Sequence, residues 1–105
     1  MCHVYSGTKP EEYAQVTRSV RLHRVVTSIR LENRFWAIID RMAAETGMTT
    51  PRFLAVLYDE VLELHGEVRN FASLLRVACT TYLARRSGLD PAALEGDAAP
   101  QVRAA

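Results

Sequence analysis

The sequence predicts a mainly α-helical domain with a short β-ribbon, assembled as an intertwined homodimer and completed by a third helix. Three features carry this prediction: an alternating apolar and polar run at Val26–Leu31, two amphipathic helical patterns separated by Gly47, and a third helical pattern after Asn70. The chain has 105 residues, of which 49% are hydrophobic. This size and composition are those of one small folded domain.

The segment before the first helix predicts two short strands. Val20 and Leu22 occupy even positions in the numbering. Ile29 and Leu31 occupy odd positions. A single continuous strand would point these two apolar pairs to opposite faces, because successive side chains alternate. A turn or bulge around His23–Val25 removes the conflict.

The strand Val26–Leu31 is expected to find its partner in a second copy of the chain, because the sequence offers it no adequate mate. Two such strands, antiparallel across a two-fold axis, would bury Ile29 and Leu31 against helices of both chains. A two-stranded ribbon fits the major groove of DNA, where Arg and Ser can bond to base edges. The residues expected on the opposite side of the ribbon are Val26, Ser28 and Arg30.

Helix signals divide the rest of the chain. The first helix is expected to start at Glu32 or Asn33 and to stop before Gly47. The second begins at the Thr49, Thr50 and Pro51 cap, ends at Gly66 and is apolar on more than one face, so it is expected to be largely enclosed. The third runs from Phe71 to about Arg86 behind an Asn70 cap.

The predicted domain organisation has three parts. Residues 1–17 form an N-terminal arm, with one helical turn through "PEEYAQ". Residues 18–87 form the folded domain. Residues 88–105 are rich in Ala, Gly and Pro and lack a sustained apolar stripe, so they are expected to be a disordered tail.

Charge is unevenly distributed along a chain whose net charge is only +1. From Arg18 to Arg34 there are five arginines against Glu32 alone, a local excess of +4, whereas residues 35–68 are mainly acidic. This polarity indicates a face for an anion, although charge runs also occur as solvated surface. The candidates for phosphate contact are Arg18, Arg21 and Arg24, and a flexible basic arm would have the same composition.

The order strand, helix, "TGMTT" turn, helix resembles that of the ribbon-helix-helix DNA-binding proteins, the class that includes the Arc and methionine repressors. The segments "TSIRLENRFW" and "NFASLLR" more specifically resemble a small bacterial subgroup with a further strand and a third helix, over about Arg18 to Leu83. In that subgroup a glycine commonly stands where this chain has Arg24. The resemblance implies base contacts from Val26, Ser28 and Arg30. It also implies a DNA phosphate held at the start of the second helix, by Met48, Thr49 and Thr50.

Other classes of site find no support in the sequence. No nucleophile with a paired base and no Gly-rich phosphate loop is present, so an enzyme is not expected. The histidines His3, His23 and His65 form no metal-ligand spacing with Cys2, so neither a metal nor a cofactor is expected. Cys2 and Cys79 are expected to be reduced thiols of a cytoplasmic protein. No apolar run has the length of a membrane span.

The function expected from these features is that of a sequence-specific regulator of bacterial transcription, a homodimer that binds double-stranded DNA in the major groove. Whether dimers pair into tetramers through the third helix is left open. One alternative is a protein-interaction module that kept the dimeric fold without DNA recognition, which the near-neutral charge and acidic second helix favour. Another is an antitoxin whose residues 88–105 bind a toxin.

Overall fold

The computed structural model describes residues 3–94. The first half of the chain contains two helical turns, α1 (His3–Ser6) and α2 (Pro10–Tyr13), and two strands, β1 (Gln15–Leu22) and β2 (Val25–Glu32). Three longer helices follow: α3 (Asn33–Glu45), α4 (Thr50–His65) and α5 (Phe71–Arg86). A short 3-10 turn, Pro91–Leu94, closes the described part. The order of a ribbon followed by helices, with one additional helix, confirms the predicted arrangement of elements, whereas the predicted homodimer stays a prediction.

The ribbon is formed within one chain. β1 pairs with β2 in antiparallel register along its whole length, from Gln15 opposite Glu32 to Leu22 opposite Val25. The prediction that Val26–Leu31 has no mate in its own chain is therefore wrong. β1 starts at Gln15, inside the segment assigned to the N-terminal arm, and an antiparallel partner needs only a tight turn to reach β2.

That turn consists of His23 and Arg24, within the region where the sequence predicts it. Both residues have positive φ, at 48° and 71°. Two successive residues with positive φ are typical of the type I′ turn, whose twist matches that of the flanking strands. Arg24 occupies the second turn position, where glycine is favoured because it has no Cβ to clash.

One face of the hairpin, here called the inner face, packs on the helices. Residues opposite each other in an antiparallel pair point to the same side, so even positions of β1 share a face with odd positions of β2. This pairing explains why the buried residues have even numbers in β1 and odd numbers in β2. The buried strand residues are Val20, Leu22, Ile29 and Leu31. The helices add Trp36, Ile39, Leu54, Leu75 and Cys79 to the same core.

The helix boundaries follow the predicted signals. α3 starts directly after β2 at Asn33, and Gly47, with φ 76°, follows its end. Thr49 caps α4 by accepting a hydrogen bond from the Arg52 amide at 3.3 Å, and Gly66 ends it in the left-handed conformation. Asn70 caps α5 by accepting from the Ser73 amide at 3.2 Å.

α4 is less enclosed than predicted. Leu54 is its only buried residue, and Leu64 is 78% exposed. α4 packs against β1 and α3, whereas α5 packs against α3 and β2. In the single chain the neighbours of α4 cover one side of it, whereas its apolar residues occupy more than one. The enclosure expected in a dimer stays a prediction. No helix within residues 3–94 combines the length and apolar character needed to cross a membrane.

The start of the predicted tail folds back on the domain. The Leu89 amide donates to the Ala84 carbonyl at 2.8 Å, and the 3-10 turn contacts α5. Residues 95–105 lie outside the described residues, and the toxin-binding segment of the antitoxin alternative falls largely on them. The disorder predicted for the tail therefore stays a prediction for residues 95–105.

Candidate nucleic-acid interface

The side of the hairpin that points away from the helices, here called the outer face, is a small polar surface. Its members alternate with the buried residues of both strands, so the same pattern that builds the core also exposes them. They form three cross-strand pairs: Thr17 with Arg30, Ser19 with Ser28, and Arg21 with Val26. All six side chains are exposed.

The three residues predicted to contact bases lie side by side on this face. Val26 is 58% exposed, an apolar side chain on an otherwise polar surface. Within residues 3–94, neither Ser28 nor Arg30 has a side-chain hydrogen bond or ion pair to another residue. The guanidinium of Arg30 is thus available to make two parallel hydrogen bonds to a guanine edge. A hydroxyl such as that of Ser28 can donate to or accept from either base of a pair.

Arg21 and Arg24 lie at the turn end of the hairpin. The Arg21 Nη1 donates to the Arg24 carbonyl at 3.3 Å. Both side chains are exposed, and no described acidic side chain pairs with either. His23, between them in sequence, approaches Asp59 of α4, with 3.5 Å between Nδ1 and Oδ1. The turn end therefore exposes two cationic side chains, and the contact of His23 with Asp59 connects it to α4.

Arg18 is placed differently from the other two candidates in this segment. It lies on the inner face, where its guanidinium donates to both carboxylate oxygens of Asp40 at 2.9 and 3.1 Å. The same group stacks over the Trp36 ring, 4.4 Å from the centroid. Its hydrogen bonds hold the pKa of Asp40 below its usual value. Parity could have signalled this placement, since Arg18 alternates in step with the buried Val20 and Leu22.

The start of α4 carries the other predicted phosphate contacts. Thr49 is exposed and already caps the helix, whereas Met48 and Thr50 are half-buried. The Thr50 hydroxyl donates to the Asp40 Oδ1 at 2.7 Å, so it is bonded within the protein. The first amides of a helix and its dipole still favour an anion at this end. Any such anion would approach on the side of Thr49.

Other arginines are held in ion pairs. Arg34, the last of the basic segment, pairs with Glu12 of α2. Arg76 pairs with Glu32 at 2.9 Å, and Glu32 also accepts from the Gln15 side-chain amide at 3.2 Å. Of the five arginines between positions 18 and 34, those without a described ion pair are Arg21, Arg24 and Arg30.

Sequence reasoning missed Thr17 and Ser19. It gives them no role, because it does not recognise β1 as the partner of β2. Their signal was the even spacing of Val16, Arg18, Val20 and Leu22, which leaves the odd positions on the other face.

The described part of the chain also contains histidines, carboxylates and a cysteine outside this interface. Within residues 3–94, no group of three or more His, Cys, Asp or Glu side chains is placed to hold a metal ion. Cys79 is buried, and burial raises the pKa of its thiol to about 11. A thiol with this pKa is protonated at neutral pH and behaves as a small core residue.

Comparison with known proteins agrees with this architecture. The ribbon-helix-helix domain model matches residues 15–83, which include both strands and most of α5. The solved structure of an uncharacterized protein from Bordetella pertussis Tohama I superposes with a TM-score of 0.81 at 38% sequence identity. That alignment covers 83% of this chain and 70% of the other. No curated protein matches the chain.

Members of the matched family typically bind DNA, generally form dimers and are generally not enzymes. The match extends over well more than half of the chain and includes the whole hairpin. This protein therefore belongs to the ribbon-helix-helix domain family.

Proposed function

We propose that this protein is a homodimeric, sequence-specific DNA-binding regulator of transcription, whose outer face enters the major groove. The observation that carries the proposal is the exposed row Val26, Ser28 and Arg30 on β2, with the Arg30 guanidinium bonded to no described residue. A row on a paired strand is held in fixed register, as base recognition requires. These three side chains recognise bases in the proposed complex.

The free edge of β2 supports the dimer. In a two-residue hairpin the residues that flank the turn, here Leu22 and Val25, form a hydrogen-bonded pair, and such pairs alternate along the ladder. Val26, Ser28 and Arg30 therefore point their backbone N–H and C=O groups away from β1. No other described backbone group bonds to them. An edge of this kind readily pairs with another strand.

Two β2 edges joined antiparallel about a two-fold axis give a self-complementary contact. Such a dimer places two copies of the base-contacting row next to each other, in the centre of the sheet. Dimer formation and DNA recognition then use the same strand.

Phosphate contacts would hold this sheet in the groove. We assign them to Arg21 and Arg24 at the hairpin turn and to the start of α4, at Met48, Thr49 and Thr50. For Arg18 we infer a structural role instead, because its guanidinium is bonded to Asp40 on the inner face. In this proposal the protein acts in the bacterial cytoplasm.

The experiment is selection of bound sequences from random DNA, followed by titrations of the selected site and of scrambled DNA. Arg30→Ala is expected to flatten the preference at one position in each half-site, since a bidentate contact discriminates by roughly 1–3 kcal/mol. The matched control is Arg85→Ala, which removes the same charge from an exposed position of α5. An unchanged ratio of the two affinities for Arg30→Ala would contradict the proposal and favour the protein-interaction alternative.

A further inference from the structure

We infer that β1 forms the phosphate-contacting flank of the DNA-binding sheet, with the hydroxyls of Thr17 and Ser19 directed at the DNA backbone. This inference rests on the proposed function, and it adds a strand that the base-contacting row does not include. It follows from three features of the described chain: the register of the hairpin, the free edge of β2, and the small polar side chains that β1 exposes.

Register and free edge determine where β1 lies in the dimer. Because β2 pairs with β1 on one side and has its free edge on the other, joining two copies through β2 gives the strand order β1, β2, β2 of the partner, β1 of the partner. Residues Thr17, Ser19 and Arg21 then share one continuous surface with the base-contacting row. They lie at its two margins.

The width of the major groove determines which part of the DNA the β1 strands contact. Neighbouring strands are about 4.8 Å apart, so the central strands lie about 2.4 Å from the two-fold axis and the β1 strands about 7 Å from it. The major groove is about 12 Å wide, so its walls stand about 6 Å from its centre. The central strands therefore fit inside the groove, whereas the β1 strands lie over its walls, where the phosphates are.

The chemistry of the β1 residues suits this position. Hydroxyl side chains donate to phosphate oxygens and set the position of a protein on the duplex without recognising sequence. Thr17 and Ser19 are exposed and have no hydrogen-bonded partner for their hydroxyls within residues 3–94. Their short side chains let the sheet approach the backbone closely, and Arg21 adds a positive charge on the same face near the turn.

A single hairpin entering the groove by itself would give a different result. Both strands would then lie about 2.4 Å from the groove axis, and Thr17 and Ser19 would meet base edges. The two arrangements differ in whether β1 affects sequence preference. That difference can be measured.

The first test adds a charge. Ser19→Arg is expected to tighten binding to the selected site and to scrambled DNA by the same factor. The slope of log affinity against log salt is expected to steepen by about one unit per added phosphate contact in each chain. The control is Thr80→Arg on α5, at an exposed threonine whose hydroxyl bonds to its own helix at Val77; this variant should leave the slope unchanged. Thermal melting verifies that both variants are folded.

The second test removes hydrogen bonds. The double variant Thr17→Val with Ser19→Ala is expected to bind several-fold more weakly to both DNAs, with the selected sequence unchanged. A changed selected sequence in either variant would overturn the inference in favour of the single hairpin. An unchanged salt slope for Ser19→Arg, or unchanged affinity of the double variant, would remove β1 from the interface. Loss of specificity in Arg30→Ala under the same conditions shows that the proposed function holds independently of these outcomes.

Discussion

Arg18 of β1 and Asp40 of α3 form a bidentate ion pair, with Nη1 to Oδ1 at 2.9 Å and Nη2 to Oδ2 at 3.1 Å. Thr50 at the start of α4 donates to the same carboxylate, and Trp36 lies under the guanidinium. One ion pair thus connects the ribbon with the two helices that follow it. It also fixes the start of α4 relative to the outer face, and both are assigned to DNA contact in the proposed function.

Loss of this pair should destabilise the fold and leave base preference intact. Arg18→Ala is expected to cost about 1–2 kcal/mol, from a cation–π contact and an ion pair weakened by solvent. Water weakens the ion pair because the two side chains are 38% and 44% exposed. A double-mutant cycle with Asp40→Ala, measured by urea unfolding, should give a clear coupling energy. Additive losses would show that the two side chains do not interact in solution.

The turn of the hairpin offers a stabilising substitution. Arg24 has φ 71°, a conformation that costs a residue with a Cβ about 1–2 kcal/mol and costs glycine almost nothing. Glycine also makes the unfolded chain more flexible, which offsets part of the gain. Arg24→Gly should therefore raise the free energy of unfolding by about 0.5–1 kcal/mol. Arg21→Gly, in the adjacent strand, is the control and should lower it; a loss of stability in Arg24→Gly would argue against a type I′ turn.

Glu32 should make stability depend on acid pH. The hydrogen bond from Arg76 is the main cause that lowers the pKa of Glu32 from 4.5 to about 2, helped by backbone and Gln15 hydrogen bonds. A carboxylate with a depressed folded pKa stabilises the fold above its unfolded pKa, and the effect is lost as pH falls through the folded one. Part of the stability should therefore disappear between pH 4.5 and pH 2.

Urea unfolding across that range provides the measurement. Glu32→Gln should lower stability at neutral pH and flatten the acid loss. Glu63→Gln, an exposed position of α4, should change neither. An equally steep acid loss in Glu32→Gln would assign the dependence to other carboxylates, of which Asp40 has a pKa that Arg18 lowers.

The dimer can be tested with a matched pair of proline substitutions. Ser19 and Ser28 stand opposite each other, and hairpin geometry points both of their amides away from the partner strand. Proline is therefore tolerated within the hairpin at either position but removes an amide from the outer edge. Ser28→Pro should weaken the dimer, whereas Ser19→Pro should not.

Sedimentation and the concentration dependence of thermal melting measure this difference, since the stability of an obligate dimer depends on protomer concentration. Wild-type protein is expected to melt at clearly different temperatures over a hundredfold range of concentration. If wild type is a folded monomer at micromolar concentration, or if both proline variants dimerise equally well, β2 is not the dimer edge.

The helices and the outward row of β2 could be predicted from local sequence, because local rules determine them. The Thr49 and Asn70 caps, the Gly66 stop and the alternation at Val26–Leu31 each depend on a few neighbouring residues, and the structure has all of them at the predicted positions. The ribbon-helix-helix model matches the chain for the same reason, because it depends on the order of these local elements in the sequence.

The partner of β2 and the place of Arg18 were decided by tertiary structure. Strand pairing is a contact between segments, and alternation alone does not state which segment pairs with which. Alternation groups Arg18 with Val20 and Leu22 and separates it from Thr17, Ser19 and Arg21, but only the folded chain shows that the first group faces Asp40 and Trp36. The arginines of the two strands are thus divided between the inner face, which has Arg18, and the outer face, which has Arg21 and Arg30, because successive side chains of a strand point to opposite sides.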